Sequence, residues 1–449
     1  MLRRFAISWF ALALALPAAA RTRPHYGGTL RVEIAGDPWQ GPDELARRLV
    51  LDGLTAFDAD GAVKPALAME WKSEDNDHRW QFRLRPGVHF HDGSALTSAA
   101  VAMSLNVSCA ANCPWTAVRA VGAEVVITSD SPAPNLPALL ATDAFLVALT
   151  RTADGLAPAN PIGTGPFQFA AFSNGNLTLT ANENCWQGRP FVDQILLSTD
   201  RSIRDQWLDL SLGRADIVEV PPQELRQAQQ QRLSVVVSAP TELLALGISD
   251  SGPLANPVLR AAIAQAVDRS ALFNVIFQKQ GEITASLLPQ SLTGYAFLFP
   301  VDRDVNKANE LRGGLTPPPL TLSADHDGTM QLAAQRIALN LREAGFNVQV
   351  VNTRAAVHTD LSLMTLPLVS ASSPDALAIL LHSAGVNAAI ASQKPAALFR
   401  AERDFLELKT LVPLIELPEA YAVGGRVRDL RLRTDGTPDL AGVSLEGAQ

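Results

Sequence analysis

The stretch Phe82–Leu105, "FRLRPGVHFHDGSALTSAAVAMSL", decides the fold, although at first sight it reads as chemistry. His89, His91 and Asp92 crowd into one turn, and such side chains can hold a metal or trade protons. The pattern around them argues for architecture instead. Trp80, Phe82 and Leu84 alternate with polar residues, as in a half-buried strand. Arg85-Pro86-Gly87 turns the chain, and Val88 and Phe90 resume the alternation, so a hairpin is predicted. Val88 and Phe90 share one face, His89 and His91 the other, and Asp92-Gly93 makes the next turn. Thr97 is the predicted cap of a helix beginning at Ser98. A third metal ligand and an open position are not visible, so the joint reads as framework and no metal is expected.

Composition bounds what surrounds this joint. The chain has 449 residues, 47% apolar and 18% charged, which is ample for a core and too long for one ordinary domain. Two or three lobes follow. "MLRRFAIS" is a basic start, "WFALALALPAAA" a short apolar run, and Ala18 and Ala20 suit a cleavage site, so residues 1–20 read as an export signal. Arg3-Arg4 fits the twin-arginine route poorly. The mature chain would carry 35 basic against 45 acidic residues, a net charge of −10, which excludes a basic nucleic-acid footprint.

Beyond the signal, strands and helices alternate. "GGTLRVEI" (27–34) enters a strand, and "PDELARRLVLDGL" is helical with Leu45, Leu49 and Val50 on one face. "IRDQWLDLSLGRADIVEV" is a helix ending at Gly213, then a strand. "NPVLRAAIAQAVDRSALFNVIF" is a helix with Pro257 near its start and Val258, Ile263 and Val267 inward. "GTMQLAAQRIALNLREAGFNVQVV" is a helix closed by Gly345, then a strand. This order predicts α/β lobes. Gly163-Thr164-Gly165 hints at a phosphate loop, but the lysine and following helix are absent. No nucleophile elbow and no zinc-binding HExxH occur, so catalysis finds no support and no cofactor is implied. Asp302/Asp304 and Asp325/Asp327 read as solvated loop acids. Cys109 and Cys113 are either a local disulfide or two small buried side chains, and Cys185 is expected to be buried.

Three segments together resemble a known family. "LDGLTAFDADGAVKPALAMEWKSEDNDHRWQFRLRPGVHFHDGSALTSAAVAMSL" is similar nearly throughout to the first motif of the family 5 extracellular solute-binding proteins of ABC importers, the dipeptide, oligopeptide and nickel binders. "NPIGTGPFQF" with "ENCWQGRPFVDQI" resembles the second, with Cys185 where a tyrosine is usual. "LALGISDSGPLANPVLRAAIAQAVDRSAL" resembles the third. The resemblance implies an α/β, two-lobed periplasmic binding protein-like fold (type II, cluster C) with an inserted subdomain in lobe I. After the signal peptide 1–20, lobe I would comprise 21–57, 163–248 and 414–449, the insert 58–162, and lobe II 249–413. It also implies a monomeric, periplasmic receptor that closes on a peptide-like or other small solute and delivers it to ABC permease subunits, with no covalent step. Trp71, Trp80 and Trp186 match framework positions. An exported sensor, chaperone or enzyme on the same scaffold is the alternative, since a fold does not fix a function.

The departures fall where ligand would be read. The first loop is the short "AGDPWQGPDE", and the far-lobe run is "LPLVSASSPDALAIL". Ser372 stands where the family's ammonium-binding carboxylate is expected, and Asp375 keeps the end of that pattern or caps the next helix. The candidate ligand contacts are therefore Asp37 and Trp39 from lobe I and Ser370, Ser372 and Asp375 from lobe II. A neutral Ser372 implies a ligand without a free α-ammonium, because an unpaired buried charge is costly. N-terminal sequencing of exported material should find a mature chain beginning at or near Arg21; an intact Met1 would refute the export reading.

Overall fold

The computed structural model describes residues 25–34, 45–109, 113–152, 155–199, 201–295, 298–324, 328–352, 359–369, 372–392 and 394–446. Two strands organise it. Val235–Ile248 and Leu411–Val423 run antiparallel through the middle of an eleven-stranded sheet. On one side the order continues through Ile217–Glu219, Thr29–Glu33, Gln194–Ser198, Asn176–Ala181 and Phe167–Ser173. On the other it continues through Leu361–Pro367, Leu320–Ala324 and Val348–Asn352. Each long strand therefore serves two cores. Leu244, Leu246, Leu414 and Ile415 pack into the far-lobe core, whereas Tyr421 packs with Leu30, Val32, Phe167 and Ile195 in the near-lobe core.

The passage between cores is marked in the backbone. Val235–Val237 oppose Ala420–Ala422, and Glu242–Gly247 oppose Leu411–Leu417, with register shifts on both sides of Pro240. Pro240 lies opposite Pro418. Neither residue has an N–H to give the ladder, so the sheet is weakest where it passes between lobes.

The inserted subdomain is a small antiparallel sheet in the order Ala68–Glu74, Arg79–Leu84, Glu124–Thr128, Ala117–Val121. Trp80, Phe82 and Leu84 alternate inward as predicted, and Thr97 accepts a hydrogen bond from Ala100 N to cap helix Ser98–Ser108. The predicted hairpin with Val88–Phe90 does not form. Arg79–Leu84 pairs with Ala68–Glu74 and Glu124–Thr128, so both of its edges are taken. Residues 88–95 instead curl on themselves: His89 bridges to Ala95, and the Asp92 carboxylate accepts from Ser94 N at 2.9 Å.

The two histidines part company. His89 is exposed, with Nδ1 3.0 Å from its neighbour Gly87's carbonyl. His91 turns to the Gly163–Gly165 loop: its Nε2 donates to Gly165 O at 3.0 Å and its Nδ1 accepts from Gly163 N at 3.3 Å. That pattern fits a neutral ring, and burial lowers its pKa. Among the described residues no three His, Cys, Asp or Glu side chains cluster to hold a metal.

The Gly-Thr-Gly loop is a joint as well. Thr164 Oγ1 and Trp186 Nε1 both donate to the Asp52 carboxylate, at 2.7 Å and 2.9 Å. Burial pushes the Asp52 carboxyl up, while these two donors pull it down. A Cβ on Gly163 would lie 2.0 Å from Val50 O, and one on Gly165 2.6 Å from Leu49 O. Glycine is required here for close approach of backbone, not for phosphate. Trp80 lies in the insert's core, and Trp71 and Trp186 pack against it, as framework residues would.

Helix Pro257–Ala266 begins as read, capped by Asn256. Its inward stripe is Leu259, Ile263 and Ala266, continued by Val267, while Val258 faces solvent; with Pro257 as first residue, Val258 falls one position off the stripe. Cys109 and Cys113 are disulfide-bonded with Cα atoms 5.3 Å apart, and Cys185 is free and buried. No helix among the described residues is long and apolar enough to cross a membrane.

Gly163→Ala should cost about 3 kcal/mol or more, because the new methyl group meets backbone rather than a movable side chain. Urea unfolding would check this. An unchanged midpoint would show that the loop can yield.

Candidate functional site

Where the long strands pass between the lobes, a cavity of about 310 Å³ opens. Thr241 and Glu242, just beyond the Pro240 irregularity, form its floor. Arg48, Asp143, Asp435 and Thr437 line it from the near lobe and insert. Thr365, Pro367, Ile379 and His382 line it from the far lobe. The size sits at the lower end of small-molecule pockets, on the order of 300–1,000 Å³.

Local structure fixes the polar groups. Helix Leu45–Val50 buries Leu45, Ala46, Leu49 and Val50, which leaves Arg48 on its other face. Arg48 Nε donates to Asp143 at 2.7 Å, and its Nη2 pairs with Asp435 at 2.7 Å. Asp143 opens a short 3-10 turn anchored by buried Phe145, whose ring lies 4.9 Å from Trp115. Asp435 sits in a tight turn, where its carboxylate accepts from Thr437 N at 2.9 Å and Thr437 Oγ1 at 2.6 Å. Gly436, at φ +83°, lets that turn press on the floor: a Cβ there would lie 2.7 Å from both Glu419 Cβ and Thr241 Oγ1. Burial alone would raise the Asp435 carboxyl, but the Arg48 charge, the Thr437 hydrogen bonds and Arg433 hold it below the usual carboxylate range.

Thr241 is 3% exposed, and its hydroxyl has no hydrogen-bond partner. A buried, unsatisfied hydroxyl in a cavity wall is ready to meet a polar group of a bound molecule. Around it stand apolar walls from Phe57, Val369 and Ile379. Hydrogen-bonding groups, a fixed ion triad and apolar surface suit recognition by burial and polar pairing.

A second cavity, of about 260 Å³, lies between the insert and the far lobe. It shares Leu139 and His382 with the first, so it lies beyond them from the hinge. In its wall Asn135 reaches across to the far lobe. Its Nδ2 donates to Asp375 at 2.7 Å and Ile390 O at 3.2 Å, and its Oδ1 accepts from Ile390 N at 3.1 Å. Asn387 Nδ2 donates to Cys113 O at 3.2 Å, and the Phe145 and His382 rings lie 5.5 Å apart.

Of the five residues expected to contact ligand, Asp37, Trp39 and Ser370 lie outside the described residues. Ser372 and Asp375 stand at the start of helix Ser373–Ser383, and neither lines the hinge cavity. Ser372, not Asp375, holds the N-cap position; Asp375 lies in the first turn and faces Asn135. Sequence reasoning missed Arg48, Thr241 and the Asp435–Thr437 turn. The Asp-Gly-Thr tripeptide was the readable signal for the last of these, since it is a turn sequence.

The chain is similar to known proteins in sequence and in fold. Residues 62–385 match the family described as bacterial extracellular solute-binding proteins, family 5 Middle. The chain is 26% identical over 354 residues to the probable di/tripeptide-binding protein 5 of Pseudomonas aeruginosa, covering 68% of this chain and 67% of that one. It is 25% identical over 343 residues to the glutathione-binding protein GsiB of Pectobacterium atrosepticum, covering 70% of this chain and 66% of that one. Among solved structures, the PBP AgaA from A. tumefacien R10 in complex with agropinic acid superposes with a TM-score of 0.80 at 21% identity, over 94% of this chain and 99% of that one. The oligopeptide-binding protein AppA of Bacillus subtilis, in complex with a nonapeptide, gives 0.76 at 18% identity, over 94% and 100%. At such identities the structures speak for the fold.

Replacing Arg48 tests the ion triad. Arg48→Leu leaves two largely buried carboxylates without their cation and should cost about 3 kcal/mol near neutral pH. The pH dependence should change sign. In the wild type the depressed Asp435 carboxyl contributes stability above its unfolded pKa, lost as pH falls through the folded value. In the variant, burial less opposed raises that carboxyl, so lowering the pH from about 7 to about 5 should recover stability. Urea titrations at both pH values would check it; parallel losses in the two proteins would contradict the assignment.

Proposed function

Because the chain belongs to the bacterial extracellular solute-binding proteins of family 5, we propose that it serves as the extracytoplasmic receptor of an ABC importer. It takes a peptide-like or other small solute between its lobes and delivers it to a membrane permease. The observation that carries this reading is the hinge cavity: its walls come from both lobes and its floor from the strand that joins them. A solute bound there touches both sides at once. Its contacts are complete only when the lobes are closed, so binding energy is converted into a closed shape that a permease can read. Binding is non-covalent, as in the family as a whole.

We assign the near lobe to residues 21–57, 163–248 and 414–449, the insert to 58–162 and the far lobe to 249–413. The core memberships support one refinement: side chains of the long strands change lobes between Val237 and Glu242 and between Leu417 and Ala420. Export to the periplasm, as a monomer, completes the reading.

The solute is a small molecule without a free α-ammonium, such as a capped peptide. Family relatives take ligands as different as di- and tripeptides, glutathione and heme, so the choice rests on this chain's own residues. Asp143 and Asp435 are already paired with Arg48, and Asp375 with Asn135. An ammonium at any of these would have to displace the present partner, which leaves Glu242 on the cavity floor as the carboxylate to test. The Thr241 hydroxyl, in contrast, suits a neutral polar group.

Mass spectrometry of solute released from purified protein would identify the ligand. Calorimetry with di- and trialanine beside their N-acetylated forms would test its class, with the acetylated peptides expected to bind more tightly. Binding of the free peptides tighter than about 10 μM, lost on acetylation, would overturn the class. Glu242→Gln and Asp435→Asn would then show which carboxylate takes the ammonium.

A further inference from the structure

We infer that Asn135 is a positioning residue that holds the cleft closed before any solute arrives. The inference rests on the two-lobed receptor reading but not on which solute is carried.

The first observation is what Asn135 does not do. It occupies the N-cap position of helix Leu136–Leu139, where an asparagine normally bonds its own helix. It makes no such bond. Asn135 is 5% exposed, and its amide is directed across to the far lobe. Both ends are used there: the nitrogen donates to Asp375 and Ile390 O, and the oxygen accepts from Ile390 N. One side chain thus joins helix Ser373–Ser383 and the loop that follows it to the insert.

The second observation is place. The hinge cavity is lined by Thr241 and Glu242 of the hinge strand and also by Leu139 and His382. Leu139 and His382 also bound the second cavity, whose wall contains Asn135. The clip therefore lies in the neighbouring cavity, whose lining includes neither Thr241 nor Glu242 of the hinge strand, where a bond between insert and far lobe opposes opening. Apolar contact reinforces it, because Val369 and Ile379 of the far lobe pack into the insert's core.

The third observation is that the insert is bonded to the near lobe. His91 of the insert bonds Gly163 and Gly165 of the near lobe, and Trp186 of the near lobe packs against the insert's core. A clip from insert to far lobe is therefore a clip from lobe to lobe. A closed state stabilised this way is populated without ligand, and solute entry waits on release of the clip.

The test measures closure in ligand-free protein by double electron–electron resonance. Spin labels are attached at Arg119→Cys on the insert and Glu310→Cys on the far lobe, both exposed. The parent should give one short distance. Asn135→Ala should lower the closed-to-open ratio at least about tenfold and add a longer distance. Asn135→Asp sets a carboxylate against Asp375 and should open the protein further. Adding Asp375→Asn to it restores a donor–acceptor pair and should recover part of the closed population, which a merely structural role would not produce. A parent already open without ligand, an Asn135→Ala protein still wholly closed, or no recovery in the exchanged pair would each overturn the inference. Failure to find a transported solute would leave all three readouts intact.

Discussion

Everything in this molecule depends on a ladder that is interrupted around Pro240. Val235–Ile248 and Leu411–Val423 must belong to both lobes, because each is a central strand of the one sheet that runs through them. A continuous fourteen-residue strand would make that sheet a stiff plate. Pro240 opposite Pro418 prevents this by removing two backbone donors from the same place, and the register slips on either side of Pro240. The side chains beyond the slip, Leu243 to Leu246, then commit to the far-lobe cores. The cavity sits at the slip because ladder strain and polar groups on the floor strand are tolerated only where packing is already interrupted.

The rest of the near lobe is built so that motion has nowhere else to go. Asp52 is a buried carboxylate held by donors from Thr164, Trp186 and Gln187. Such a group is stable only while its donors stay in place, so it holds the glycine loop, which His91 of the insert bonds, in place within the near lobe. Gly163 and Gly165 let two backbones meet at distances no side chain could survive. The sequence stretch that looked like a metal site is part of this lock: His91 satisfies backbone groups of the glycine loop, and Asp92 satisfies its own turn.

What could be read from the sequence divides by distance along the chain. The Trp80–Phe82–Leu84 alternation, the Thr97 cap, the Asn256-Pro257 helix start and the Gly345 stop depend on neighbours within a few residues, and each formed as read. Val88–Phe90 misled because its local pattern is strand-like while both edges of its intended partner were already occupied by strands that alternation alone could not rank. The cavity was illegible for a stronger reason. Arg48, Asp143, Thr241 and Asp435 meet only after the chain has passed through the insert, the hinge strand and the C-terminal turn. No spacing rule links four residues so dispersed, and each alone reads as an ordinary surface charge or strand polar residue. Asp375 was legible as part of a motif but not as Asn135's partner, because its contact lies 240 residues away.

The altered far-lobe run and the Asn135 clip belong to one energetic argument. A receptor that binds an ammonium through a far-lobe carboxylate draws closure energy from the ligand, since the buried charge pair exists only in the closed complex. If Ser372 holds that place, as the sequence resemblance implies, the proposed receptor lacks this source. A clip made within the protein replaces it, and apparent affinity then loses little to an unpopulated closed state. Discrimination falls in return. In the proposed reading a solute need not supply a charge to close the lobes, and its fit to the cavity walls, Thr241 among them, separates it from competitors. A neutral, weakly contoured solute is the kind of ligand for which such an exchange works, because it offers no charge with which to drive closure itself.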